Sequence, residues 1–66
     1  MEEFLNKLCH IVVDVQGRTF YYICANVTSI TETHISFEDT TKNNEIHCFR
    51  KIDIIEIRAS SPGDIQ

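Results

Sequence analysis

Three cysteines and three histidines carry the broadest chemistry in this chain. They fall as two adjacent pairs, Cys9-His10 and His47-Cys48, with Cys24 and His34 standing apart. Zinc accepts such ligands. Neighbouring residues on an extended strand point to opposite faces, however, so neither pair converges on one ion. No CxxC spacing is present either. The sequence therefore reads as holding no structural metal and no cofactor. A Cys–His nucleophile needs a thiolate beside a base and a third group to orient it. Nothing in 66 residues offers an oxyanion loop or a segment long enough to enclose a substrate, so no catalytic residue is assigned and an enzyme is not expected. An odd number of widely spaced cysteines makes a poor disulfide framework. All three lie in apolar stretches and read as buried free thiols of a reducing compartment, which points to a cytoplasmic protein.

The aromatic and basic residues offer a second kind of chemistry. Tyr21 and Tyr22 are neighbours on one strand, so one ring faces in and the other out. The outward ring would stack on a base or cover a protein partner. Arg18, Lys42, Arg50 and Lys51 form at most a small basic rim. Six basic residues stand against ten acidic ones, for a net charge of −4 and a pI near 5.1. Phosphate binding draws on clustered Lys and Arg, so the balance favours a protein partner over nucleic acid, with RNA as the alternative. The acids Asp14, Glu32, Glu38, Asp39 and Glu45 read as solvated edges and loop tips that discourage stray strand pairing.

The elements that must position these residues are mostly strands. Met1–Leu8 carries Glu2 and Glu3 ahead of Phe4, Leu5 and Leu8, the pattern of a short amphipathic helix within 2–9 that caps an open end of the core. Ile11, Val13 and Val15 alternate through a strand near 10–16, and Gly17-Arg18 supplies a tight hairpin turn. The next strand, 19–30, holds Phe20, Tyr22 and Cys24 on one face. Val27 and Ile30 break that period, as in a strand that bends or bulges near Ala25-Asn26. Ile35 and Phe37 mark a third strand, 33–39, and TTKNN is a loop.

Glu45–Arg58, EIHCFRKIDIIEIR, is the stretch around which the rest reads as organised. Ile46, Cys48 and Arg50 share one face of a strand near 45–50. Ile52, Ile54, Ile55 and Ile57 regroup in a second, near 53–58. β-branched residues favour two short strands here over one helix.

The whole is a mainly β chain: a short N-terminal helix, then five strands in a strongly bent antiparallel small barrel. Residues 1–58 form one domain and 59–66 a flexible tail. A domain of this size buries only about 60% of its unfolded surface, which favours a homo-oligomer. No apolar run approaches about 18 residues, so no membrane span is expected, and no secretory signal is evident.

Two segments resemble the motifs of the Sm-like small barrels, relatives of the SH3-like barrels. THISFED, Thr33–Asp39, resembles the end of the first Sm motif. CFRKIDIIEI, Cys48–Ile57, resembles the second, with Arg50, Ile54 and Ile57 in register. Gly17 and Phe20 suit the start of the first motif. The resemblance implies a barrel that joins its copies by pairing edge strands. In RNA-binding members an Asp, an Asn and an Arg-Gly pair build a uridine pocket. Here His34 stands at the Asn position, Lys51 replaces the Gly, and Arg50 remains. In this reading Arg50 lies at the barrel rim near His34 and Lys51, where it grips a ligand or pairs with Asp53 or Glu32. The candidate residues for binding a partner or nucleic acid are thus His34, Arg50, Lys51, Tyr21 and Tyr22.

Overall fold

A computed structural model describes residues 2–60. Five antiparallel strands form one sheet: β1 (Leu8–Val15), β2 (Arg18–Ile30), β3 (His34–Asp39), β4 (Glu45–Arg50) and β5 (Ile54–Ala59). Their spatial order is β4-β3-β2-β1-β5. A 3-10 turn, Lys51–Asp53, links β4 to β5. All five strands fall within two residues of the positions read from the alternation.

The first two strands meet in a two-residue turn, with Val15 opposite Arg18. Gln16 and Gly17 both take positive φ, 52° and 83°, the geometry that matches the twist of a hairpin. The turn is thus Gln16-Gly17, one residue earlier than expected, and Arg18 already belongs to β2.

β2 serves two partners. Its first part pairs with β1 through Asn26, and its last part, from Ala25, pairs with β3. The register slips between Cys9 and Ile11 on the β1 side and between Val27 and Ser29 on the β3 side. Each slip inserts one extra residue in β2 and reverses which parity faces inward. Tyr22 points into the core before the first slip, Ala25 and Val27 after it, and Ile30 packs against the core after the second. The loop after β3 secures the first bulge: the Thr40 amide and hydroxyl both donate to the Cys24 carbonyl, at 3.1 and 2.7 Å.

The core is built by the three middle strands. Cys9, Ile11 and Val13 from β1, Tyr22, Ala25 and Val27 from β2, and Ile35 and Phe37 from β3 form one buried cluster. Tyr22 meets Phe37 edge to face, with ring centroids 4.9 Å apart. Full burial of a side chain such as Phe37 or Ile11 stabilises by about 1.5–3 kcal/mol.

Four expectations are corrected. The N-terminal helix is a single 3-10 turn, Glu2–Phe4. Asn6 enters the left-handed region at φ 63°, and its amide turns to the Val27 carbonyl at 2.8 Å. Sheet pairing thus claims the chain before a helix can extend, and only Phe4 reaches the core. The barrel is not closed, because β4 and β5 lie at opposite ends of the sheet order and do not pair. The thiols differ: Cys9 is buried, Cys24 half-buried and Cys48 exposed. Asp39 is no solvated edge acid. It is 3% exposed, and its Oδ1 accepts from the Thr41 amide at 3.0 Å and the Thr41 hydroxyl at 2.6 Å. Of the expected tail, Ala59 ends β5 and Ser60 donates its amide to the Leu8 carbonyl at 2.9 Å. Residues 61–66 lie outside the described residues.

Candidate functional site

The two outer strands differ from the rest of the sheet. No residue of β4, the 3-10 turn or β5 is fully buried. The inward face of β4 carries His47 and Phe49, both half-buried. Ile46, Cys48 and Arg50 share the opposite, exposed face. Ile46 is 71% exposed, Ile52 82% and Ile55 60%. On β5, Ile54 and Ile57 pack against the core from its rim, as Phe49 does from β4. Ile55 sits at a register slip between the β5 partners of Val12 and Val13. Both edges thus combine backbone groups that face no further strand among the described residues with half-covered apolar side chains on the inner face.

One end of the sheet holds an open cleft of about 420 Å³, lined by Glu32, Thr33, His34, Arg50, Lys51 and Ile52. Two turns build it. The β2–β3 turn is closed by Thr31, whose amide donates to the His34 carbonyl at 2.9 Å and whose hydroxyl accepts the His34 amide at 3.0 Å. The β4–β5 turn is tied to the first by the Lys51 amide, which donates to the Thr33 carbonyl at 2.8 Å. His34 and Arg50 face each other across the β3–β4 ladder, and His34 Nδ1 lies 2.7 Å from Thr33 Oγ1. The cleft therefore gathers His34, Arg50 and Lys51, three of the five residues singled out from the sequence.

Arg50 already has a partner. Its Nε lies 3.1 Å from Asp53 Oδ2 and its second amino nitrogen 3.5 Å from Oδ1, a two-point grip across the 3-10 turn. Of the two acids considered, Asp53 is the one engaged. The Arg50 side chain stays more than half exposed, and His34, Lys51 and Glu32 line the cleft around it.

The tyrosines divide as an alternating strand requires. Tyr21 is outward and 70% exposed, opposite Val12 on β1 and away from the cleft. Tyr22 is buried among Phe37, His47 and Phe49 and has no surface to offer. Burial pushes its phenol above the ordinary tyrosine value, and the nearby Asp39 and Glu45 carboxylates push the same way. Burial likewise raises the Cys9 thiol, opposed by Lys7.

His47 and Phe49 are the inner-face residues that sequence reasoning missed. The aromatic at Phe49 was the available signal; the sequence reading grouped Ile46, Cys48 and Arg50 on one face without saying which face turns inward. Among the described residues no three His, Cys, Asp or Glu side chains are grouped to hold a metal ion, and no helix is long and apolar enough to cross a membrane. No family model matches this sequence, and neither a curated protein nor a solved structure proved similar to it.

Proposed function

We propose that this chain is a non-enzymatic interaction module of the Sm-like small-barrel kind, which assembles with copies of itself through β4 and β5 and binds protein. The observation that carries the reading is the placement of the isoleucines. The stretch richest in them is the least buried part of the sheet and lies along its two edges.

The two edges suit each other. Both strands are six residues long. If Ile54 of one copy stands beside Phe49 of the next, the bulge at Ile55 brings Ile57 beside His47. Half-covered core residues then meet on the same face. Edge pairing also satisfies the outward backbone groups of both strands. An open sheet in one chain is thereby continued by its neighbour, and a core too small for comfortable independence gains area. The Sm-like assignment is supported by element order: an N-terminal turn, five antiparallel strands, a long bulged second strand shared by both halves, and a 3-10 turn between the last two.

The test is sedimentation at micromolar concentration. The wild-type chain is expected to run as an oligomer, and Ile46→Lys combined with Ile55→Lys as a folded monomer. A wild-type chain that sediments at 7.6 kDa throughout would overturn the reading.

A second reading takes the cleft as a site for single-stranded RNA, favoured by the convergence of His34, Arg50 and Lys51. Against it stand the net charge of −4 and the engagement of Arg50 by Asp53. Oligonucleotide binding that weakens steeply with salt and falls with Lys51→Ala would put this reading first.

A further inference from the structure

The inner face of β4 carries a histidine where the fold would take any apolar side chain. The His47 ring lies against Tyr22, Phe37 and Phe49, with centroids 5.0, 5.8 and 6.1 Å away. Its Nε2 is closed off from water and makes no hydrogen bond. Glu45 Oε1 comes within 2.9 Å without forming a hydrogen bond to it. The titratable groups on this side of the sheet are Glu45 from β4, Asp39 from β3, which stands opposite Glu45, and the Tyr22 phenol from β2. Asp39 is occupied by Thr41. β1 contributes Ile11, Val13 and the buried Cys9 to the same core.

We propose that His47 is a proton-sensitive gate on the edge-to-edge assembly of this chain. The inference rests on the assembly reading above and names its regulation. An incoming β5 seated with Ile54 beside Phe49 lays Ile57 beside His47 and removes the ring's remaining contact with water. A neutral ring accepts that cover as an aromatic does. A protonated ring presents a cation that must be desolvated against isoleucine, with a carboxylate on one side only. Burying such a pair seldom repays its desolvation. Protonation of the ring therefore closes the seam to the incoming strand.

The rest of the chain pushes the other way. At neutral pH the copies are alike in negative charge, and acid lessens their mutual repulsion. Association that weakens in acid therefore has a local origin. Two other histidines lie near the joining strands: His34, opposite Arg50 at the end of β4, and His10, whose Nδ1 is 3.1 Å from an Arg58 amino nitrogen and whose protonation would set two cations side by side. His10 serves as the control.

Sedimentation equilibrium of the full chain at pH 8 and pH 5.5, at constant ionic strength, tests the gate in wild type, His47→Phe, His47→Gln and His10→Asn. Wild type and His10→Asn are expected to associate about tenfold more weakly at pH 5.5, a difference of about 1.4 kcal/mol. Both His47 variants are expected to associate equally at the two pH values or more tightly in acid. Circular dichroism at pH 5.5 should show the strand signal intact. The gate is overturned if wild-type association is unchanged or stronger in acid, if both His47 variants keep the wild-type pH dependence, if His10→Asn loses it, or if the strand signal collapses at pH 5.5. Monomers from wild type at both pH values would instead remove the assembly reading, and the gate with it.

Discussion

The middle and the edges of this sheet use apolar residues to opposite ends. β1, β2 and β3 contain every buried residue among those described, and most of their core side chains are small or medium: Cys, Val, Ala and Ile beside one Phe and one Tyr. β4, β5 and their connecting turn contain Ile46, Ile52, Ile54, Ile55, Ile57 and Phe49, and bury none of them fully. Apolar content alone therefore does not locate a core. A residue is covered when strands flank it on both sides and a second layer lies over it. The middle strands of a bent sheet receive both, and the outer two do not. The isoleucines at the edges are a surface that a neighbour can use.

The sharpest way to break this contrast is to empty the middle. Phe37→Ala removes the largest fully buried side chain, on which Tyr22, His47 and Phe49 all pack. The expected loss is about 3–5 kcal/mol, enough to unfold much of so small a domain at ambient temperature. Urea melts would show it. A loss below about 1 kcal/mol would mean that stability is not concentrated in the middle strands.

Much of this arrangement was legible in the sequence. The first four strands announced themselves by alternation, the fifth by its cluster of β-branched residues, and the bend in β2 by the change of parity between Tyr22 and Val27. The approach of His34, Arg50 and Lys51 was implied by the resemblance to the second Sm motif, which sets Arg50 at a rim beside the other two. The inward face of β4 was not legible, because an edge strand has no need to turn its most apolar residue inward and Ile46 points out. The N-terminal helix failed because its three apolar residues compete with strand pairing that begins at Leu8. Asp39 was misread because acidity suggests solvent, whereas Thr41, two residues on, supplies it with two donors.

Asp39 yields the second prediction, since it is the polar member of the middle. Asp39→Ala strands the Thr41 amide and loosens the loop that holds the β2 bulge. The expected cost is about 1–3 kcal/mol, against nearly nothing for Glu45→Ala directly across the ladder. Tyr22 adds a pH dependence. Its phenol is raised by burial first and then by Asp39 and Glu45, so the fold favours the neutral form. Its contribution is whole below pH 10, the ordinary tyrosine value, and is lost as pH climbs through the raised folded value. Urea midpoints should fall in strongly alkaline buffer and hold steady between pH 7 and 9. Removing Asp39 should bring the phenol's titration, read by ultraviolet absorbance, back toward 10.

Arg50 gives a smaller effect, on the edge side of the contrast. Its grip on Asp53 spans the turn between the outer strands and is largely exposed on the arginine side. Exposed pairs of this kind contribute about 0.2–1 kcal/mol. Arg50→Ala should therefore lower the thermal midpoint by a few degrees and leave protein binding intact. Unchanged stability with lost oligonucleotide binding would move the cleft ahead of the edges as the functional surface.

The smallest expected effect is the most telling for the edges themselves. Ile46→Ser removes a large apolar side chain near the start of β4, yet 71% of that residue already lies in water. Little apolar area changes hands on unfolding, and the substitution opens no cavity, because no layer covers that face. Serine is a poorer strand former than isoleucine, but a strand at the edge of a sheet draws only part of that difference. Under dilute conditions, where copies are apart, the expected change in unfolding free energy is within about 0.5 kcal/mol. If copies join at higher concentration, as proposed, the same substitution should lower the melting temperature relative to wild type, because a neighbour would then cover the site and stability is linked to association. An effect that grows with concentration assigns Ile46 to an interface between copies. A loss of about 2 kcal/mol that is independent of concentration would place Ile46 in the core of the single chain, and the division between middle and edge would fall.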